Sequence, residues 1–152
     1  MKKVLSVIVI LVALTLVATG CKTQEVNVEP IDKISYTAAR KIKVHFFYGD
    51  GCQYCAKAEV FFNKIEKEYS DCYELVSYET WNNEENRNLL LAVSNELGVD
   101  EKSLGSVPLI VMGEDFEIGY ATSMDNDIIK KITNNCSNDE YTDLVEQVIK
   151  NQ

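Results

Sequence analysis

The chain has 152 residues and carries 15 Lys and Arg against 24 Asp and Glu, so its formal net charge is −9. An acidic protein of this kind is a poor partner for nucleic acid or for anionic lipid headgroups, and neither is expected to bind it. Apart from an apolar N-terminal segment, the length suits a single domain.

The first twenty residues are predicted to be a signal peptide rather than part of the fold. Two lysines precede an apolar run from Val4 to Thr19, which is short for a membrane span and has the proportions of a secretory signal. The run leads into Cys21 and resembles the lipobox of bacterial lipoproteins, with Ala18 where that family usually has Leu. This resemblance implies a lipid on Cys21 and an anchor on the outer face of a bacterial cell membrane. An uncleaved anchor helix is the alternative, and it also places the rest of the chain outside the cytoplasm.

Residues 21–33 are predicted to be the lipidated cysteine and a polar tether, and residues 34–152 the folded domain. The tether has no periodic apolar positions, as expected for a segment without a packed face. For residues 31–39 the pattern does not decide between a short strand and a helical turn.

The domain is predicted to alternate strands and helices. In chain order the predicted elements are a strand Ile42–Tyr48, a helix Gln53–Tyr69 with an apolar stripe of Ala56, Val60, Phe61, Ile65 and Tyr69, a strand Tyr73–Tyr78, a helix Asn83–Leu97, a hairpin Pro108–Met112 and Phe116–Tyr120, a helix from Ser123 or Asp125 through Ile132, and a helix from Asn138 or Asp139 through Ile149. This order predicts a parallel βαβ unit whose sheet is extended by an antiparallel hairpin.

Cys52 and Cys55 stand where the first strand turns into the first helix. Two intervening residues let both sulfurs meet across one helical turn, so a disulfide can close there. The helix N-terminus stabilises a thiolate, which predicts Cys52 as the nucleophile and the more buried Cys55 as the resolving cysteine.

These residues resemble the thioredoxin-like superfamily in HFFYGDGCQYCAKAEVFFNKIEKEY and in Val107-Pro108 before the strand LIVM. The resemblance implies an α/β thioredoxin-like fold, a central mixed sheet flanked by helices, and a disulfide exchange site that needs no cofactor. It further implies a cis proline that faces the cysteines, with Val107 and Pro108, and the spacer residues Gln53 and Tyr54, contacting substrate. Gly119 also falls where the family has a glycine near its active site.

Two positions depart from the thioredoxin pattern. Gly51 stands where thioredoxin has Trp, and Phe46 stands where it has a buried acid. Proton transfer at Cys55 must then use water or another group, with Glu79, Asp50 and Lys57 as candidates. The Gln-Tyr spacer looks closer to disulfide-exchange proteins of cell envelopes, which leaves reductase, oxidase and isomerase activity open.

A CxxC pair can also be half of a zinc site, but zinc needs about four ligands. His45 is the single histidine, and Cys72 and Cys136 are isolated in the sequence, so no metal site is predicted.

In a thioredoxin topology Cys72 and Cys136 both fall at the pole remote from Cys52, where a disulfide is predicted and two free thiols are the alternative. His45 is interpreted as a packed core residue rather than a group that tunes Cys52.

Trp81 and Tyr78 fall near the active-site end of the second strand, and ordinary packing is favoured for them over a role in a peptide groove. The whole pattern predicts an enzyme that exchanges disulfides with exported proteins or peptides and is recycled by a membrane redox partner. The alternative is a non-enzymatic accessory lipoprotein that binds a peptide or a transporter and in which the Cys52–Cys55 bond is structural.

Overall fold

A four-stranded sheet organises the part of the chain that the computed structural model describes, which is residue 31 and residues 33–152. The predicted signal peptide, the lipid site at Cys21 and most of the tether lie outside the described residues. Within the described part, none of the helices has the length and apolar character that a membrane crossing requires.

The strands are β1 (Ile42–Tyr48), β2 (Tyr73–Glu79), β3 (Leu109–Met112) and β4 (Asp115–Ile118), in the spatial order β2-β1-β3-β4. β1 pairs in parallel with β2, while β3 is antiparallel to both β1 and β4. A parallel βαβ unit extended by a hairpin is therefore present. The predicted α/β thioredoxin-like class, a mixed sheet flanked by helices, is confirmed.

Within residues 33–152, four helices flank this sheet. They are α1 (Gln53–Ile65), α2 (Glu84–Glu96), α3 (Asp125–Ser137) and α4 (Leu144–Lys150), with a short 3₁₀ turn at Thr122–Met124 before α3. Among the described residues of the segment 31–39 there is neither helix nor strand. Ile31 and Ile34 nevertheless pack against the core, so ordered packing begins ahead of β1.

Both faces of the sheet are covered, which explains the nearly continuous apolar run of β1. Val44 and Phe46 belong to the core cluster that α1 and α3 complete on one face. Phe47 belongs to the cluster on the opposite face, which α2 and α4 complete. The alternation of side chains along a strand thus assigns neighbouring residues of β1 to two separate cores.

Some predicted helix faces and ends were wrong. Ala56 and Val60 of α1 are exposed, because the helix turns Cys55, Ala58, Phe61, Phe62 and Ile65 towards the core instead. α3 continues past Ile132 to Ser137, which brings Cys136 onto its buried side. α4 begins only at Leu144, where the side chain of Asp143 accepts a hydrogen bond from the Glu146 N–H and caps the helix.

Candidate active site

Cys52 is the N-cap residue of α1, and a tight turn places it there. Gly51 has a φ of +79°, a left-handed conformation that suits glycine, and a Cβ at this position would meet no atom within 4 Å. The Cys52 N–H donates to the Gly49 carbonyl at 3.0 Å, which closes the turn. The chain therefore leaves β1 and enters α1 within four residues.

The sulfur of Cys52 lies in the field of the helix N-terminus. It accepts a hydrogen bond from the Cys55 N–H at 3.1 Å, and the first turn of α1 contains no acidic residue that would oppose a negative charge. Exposed N–H groups and the helix dipole favour an anion at this position. The surroundings suit a Cys52 thiolate.

Cys52 and Cys55 form a disulfide with a Cα–Cα distance of 5.2 Å. Cys52 is partly exposed, whereas Cys55 retains 3% of its surface and belongs to the core cluster under α1. Gln53 and Tyr54 both face solvent, and Tyr54 is 59% exposed. An incoming sulfur can thus reach the first cysteine of the pair more easily than the second.

The Val107–Pro108 peptide bond is cis and lies at the same edge of the sheet as the cysteine pair. Leu109, which follows the proline, pairs with Phe47. The start of β3 therefore lies beside the end of β1, and it is β1 that leads into the turn before Cys52. The Pro108 carbonyl accepts a hydrogen bond from the Gly119 N–H at 2.7 Å, which ties the start of β3 to the end of β4. The topology therefore gathers the cysteines, Val107, Pro108 and Gly119 at one end of the molecule.

A cavity of about 390 Å³ opens beside the two cysteines. Phe46 forms part of its wall, and Asp50 and the exposed Ser77 also line it. Glu59, which was not among the candidates predicted from the sequence, lies on the same wall. Its spacing of four residues from Cys55 puts the two on one side of α1 and is the signal that identifies it. Asp50 and Glu59 are the two carboxylates that share this cavity wall with Cys55.

Glu79 joins the loop before Cys52 to the loop after β2 and is not free to shuttle protons. Its carboxylate accepts backbone hydrogen bonds from Asp50 at 3.2 Å, from Trp81 at 2.9 Å and from Asn82 at 2.8 Å. Desolvation acts to raise the pKa of Glu79, but these N–H donors outweigh it and hold the pKa below its ordinary value. Lys57, the third candidate, places its ammonium group 5.7 Å from the centre of the Tyr54 ring.

Trp81 covers the turn that precedes Cys52. A Cβ on Gly49 would come within 2.2 Å of the indole, so only glycine fits beneath the ring. The indole is 52% exposed, while Tyr78 packs inward with its ring centre 4.7 Å from that of Phe47. Trp81 is therefore a surface residue beside the cysteine pair, whereas Tyr78 is a packing residue.

His45 is fully buried on the sheet face opposite α1. Its Nδ1 lies 3.0 Å from the Tyr78 hydroxyl, and its Nε2 donates to the carboxylate of Asp143 at 3.1 Å. These contacts direct the ring towards α4, and the core role favoured by the sequence matches this placement. Within residues 31 and 33–152, no three His, Cys, Asp or Glu side chains converge as metal ligands would.

Cys72 and Cys136 form a second disulfide at the other pole of the sheet, with a Cα–Cα distance of 5.4 Å. The Cys72 carbonyl accepts from the N–H of Ile42, the first residue of β1, at 2.8 Å. Both cysteines are 0% exposed. The length of β1 thus separates this buried pair from Cys52 and Cys55.

No protein-family model matches the chain, and no curated protein matches it. The solved structures that are similar to it in fold include the following two. A glutaredoxin from Archaeoglobus fulgidus is 20% identical, with a TM-score of 0.41, over 59% of this chain and 87% of its own. Thioredoxin-2, a component of the protein secretion machinery of the malaria parasite, is 16% identical, with a TM-score of 0.38, over 66% of this chain and 99% of its own.

Proposed function

We propose that the protein is a thiol–disulfide oxidoreductase that exchanges disulfides with exported proteins or peptides. In the reducing direction the Cys52 thiolate attacks a substrate disulfide, forms a mixed disulfide and releases one substrate thiolate. Cys55 then loses its proton and attacks the Cys52 sulfur, which releases the second substrate thiolate. The substrate gains two electrons and two protons, and the Cys52–Cys55 disulfide is the oxidised product. The oxidising direction is the reverse of these steps.

One observation carries this proposal: a partly exposed cysteine, Cys52, caps a helix beside its buried partner Cys55. The helix end favours the thiolate that starts the exchange. The burial of Cys55 keeps the resolving thiol out of competition until the mixed disulfide has formed. The sulfur pair itself holds the two electrons, so the reaction needs no cofactor.

The proposed setting is the outer face of a bacterial cell membrane, with a lipid on Cys21 as the anchor and a membrane redox partner that recycles the cysteine pair. The lipobox-like end of the N-terminal segment supports this setting. Cells fed a radiolabelled fatty acid should label the wild-type protein and leave a Cys21→Ser variant unlabelled. Equal labelling of both proteins would contradict a lipid on Cys21.

The activity is tested with the full chain in nonionic detergent micelles, by insulin-disulfide reduction and by oxidation of reduced ribonuclease. We expect activity in at least one assay and only the uncatalysed rate with Cys52→Ser. A Cys55→Ser variant should stop at a mixed disulfide that mass spectrometry detects, because it retains the attacking cysteine. Inactive wild-type protein in both assays, or an active Cys52→Ser variant, would favour a non-enzymatic accessory lipoprotein.

A further inference from the structure

An open groove of about 450 Å³ runs along α1 on the side away from the cavity at the cysteine pair. Its wall on α1 is formed by Ala56, Val60 and Phe61 with two lysines, Lys57 and Lys64, and Tyr120 faces them across the groove. We call it the α1 groove. Val60 is 68% exposed, so the fold leaves an aliphatic side chain in solvent on this helix. Beside the apolar groove, this side chain gives an incoming apolar side chain a surface against which it can be buried.

The α1 groove is continuous with the redox site. Ala56, one turn after Cys52, lines both the groove and the cavity at the cysteines. Val60 follows Cys52 by eight residues, which is about 12 Å along a helix. An extended peptide covers that distance in three to four residues. A polypeptide whose cysteine is bonded to Cys52 therefore reaches the groove with side chains a few positions away.

The charges of the α1 groove select against a basic occupant. Neither Lys57 nor Lys64 forms an ion pair within the described part of the chain. They place two positive charges at the groove of a protein whose net charge is −9. The groove also contains Asp125, but this carboxylate is 8% exposed and accepts the Tyr120 hydroxyl at 2.6 Å. The acid is thus satisfied internally, and the lysines determine the charge that an occupant meets.

We propose that the α1 groove holds the segment of an extended substrate polypeptide that flanks the attacked cysteine. An apolar substrate side chain would lie against Val60 and Phe61, and a neighbouring carboxylate would lie near Lys57 or Lys64. This inference rests on the proposed oxidoreductase function and adds a substrate class: unfolded or flexible chains with an apolar and acidic segment three or four residues from a cysteine.

The test uses the full Cys55→Ser chain in phosphatidylcholine nanodiscs and peptides whose cysteine carries a thionitrobenzoate. Attack by Cys52 bonds the peptide to Cys52 and releases the coloured thionitrobenzoate anion, so the rate is read by absorbance. One set of peptides has Leu and Asp three and four positions from the cysteine, and the other set has Ser and Lys at the same positions. In each set the two residues are placed either before or after the cysteine. We expect the Leu-Asp peptides to react about tenfold faster than the Ser-Lys peptides, because both burial and charge favour them.

Val60→Asp should remove most of this preference, and Lys64→Glu should remove its charge-dependent part, which should also fade in 1 M salt. Ile149→Asp and Lys150→Glu make the same kinds of change at exposed positions of α4 outside the groove, and they should leave the preference unchanged.

Equal rates for all peptides, or a preference that the α1 variants do not alter, would overturn the groove proposal while the exchange chemistry stands. A change of sedimentation in the α1 variants in place of a change in preference would assign the groove to a second copy and would also overturn it. No reaction with any peptide would contradict the oxidoreductase function itself.

Discussion

Two cysteines that are separated by only two residues have different surroundings in this fold. Cys52 lies outside the first turn of α1 and meets solvent, whereas Cys55 lies inside that turn and faces the core. The difference follows from the helix geometry, because an N-cap side chain folds back over the free N–H groups while a residue three positions later points into the packed face. The proposed order, attack by Cys52 and resolution by Cys55, rests on this difference in exposure.

The reduced protein should show a Cys52 pKa below the ordinary thiol value of about 8.5. The cause is the N–H of Cys55 directed at the Cys52 sulfur, together with the dipole of α1. The rate of iodoacetamide alkylation against pH measures this pKa in the Cys55→Ser chain, where Cys52 stands without its partner. A short peptide with the sequence Gly-Cys-Gln-Tyr-Ser is the control, and an equal pKa in protein and peptide would contradict the expectation.

The contact between buried His45 and partly exposed Asp143 leads to a separate prediction for stability. Burial raises the pKa of Asp143, but the hydrogen bonds from His45 and from the Glu146 N–H lower it by more. The pKa of Asp143 therefore lies below its ordinary value. A carboxyl group with a lowered pKa stabilises the fold at neutral pH, and this contribution is lost as the pH falls through the folded-state pKa. Asn caps a helix about as well as Asp, so Asp143→Asn removes the charge and keeps the cap.

Asp143→Asn should therefore lower the free energy of unfolding by about 1.5–3 kcal/mol at pH 7, as expected for a hydrogen bond to a charged group. Urea titrations at pH 7 and at progressively lower pH should show the difference from wild type shrinking with acidity. Asp139→Asn, at an exposed position before α4, is the matched control and should change little. A difference independent of pH would exclude the charge as the cause.

At the scale of elements, side chains at the end of β2 hold together the loops beside Cys52. Glu79 at the end of β2 binds the backbone of the turn before Cys52 and of the loop that carries Trp81. Thr80 adds hydrogen bonds from its N–H and its hydroxyl to the Tyr48 carbonyl, at 2.8 and 2.9 Å. The position of Cys52 thus depends on β2 as well as on β1.

Glu79→Gln should loosen this connection without unfolding the sheet. An amide accepts hydrogen bonds less strongly than a carboxylate, so the amide protons of Asp50, Trp81 and Asn82 should exchange severalfold faster. Since the pKa of Glu79 is lowered, wild-type protection should fall towards that of the variant as the pH drops through this pKa. Hydrogen exchange followed by mass spectrometry provides the measurement, with Glu84→Gln in the exposed first turn of α2 as the control.

The sequence predicted the strands better than the helix faces. β1 was predicted to the residue, because a strand covered on both sides reads as an unbroken apolar run. The stripe of α1 was misassigned because Ala56 and Val60 have the periodicity of a core face, and exposure depends on which side of the helix meets the sheet. The start of α4 depends on Asp143, whose partner His45 is 98 residues away in the chain.

The same limit applies to the site. The spacing and setting of Cys52 and Cys55 are local, so their helix-end environment could be predicted from the sequence. The contact of Glu79 with Asp50 and the position of Trp81 over Gly49 join residues about thirty positions apart, and nothing local in the pattern marks such pairings. Glu59 is an intermediate case, because its spacing from Cys55 is visible while the cavity that they share is not.

For the whole molecule, the second disulfide closes a loop between residues 64 positions apart. In the chain-entropy account a cross-link over that length stabilises the fold by about 4 kcal/mol. The double variant Cys72→Ala and Cys136→Ala should therefore unfold at a clearly lower urea concentration than wild type. It should keep its exchange activity at low temperature, because the change is remote from Cys52. Mass analysis of the purified wild type that finds both thiols free would contradict the prediction.

The positions of the two disulfides determine how many electrons the folded protein can accept. β1 spans about 23 Å between the two poles, and Cys72 and Cys136 are closed to solvent, so a thiolate generated at Cys52 has no path of attack on the second bond. Under native conditions a mild reductant should consume a single equivalent per chain, and the second equivalent should require a denaturant. Repeated oxidation and reduction of Cys52–Cys55 would then produce no isomers with exchanged disulfides, because Cys72–Cys136 is isolated from that pair.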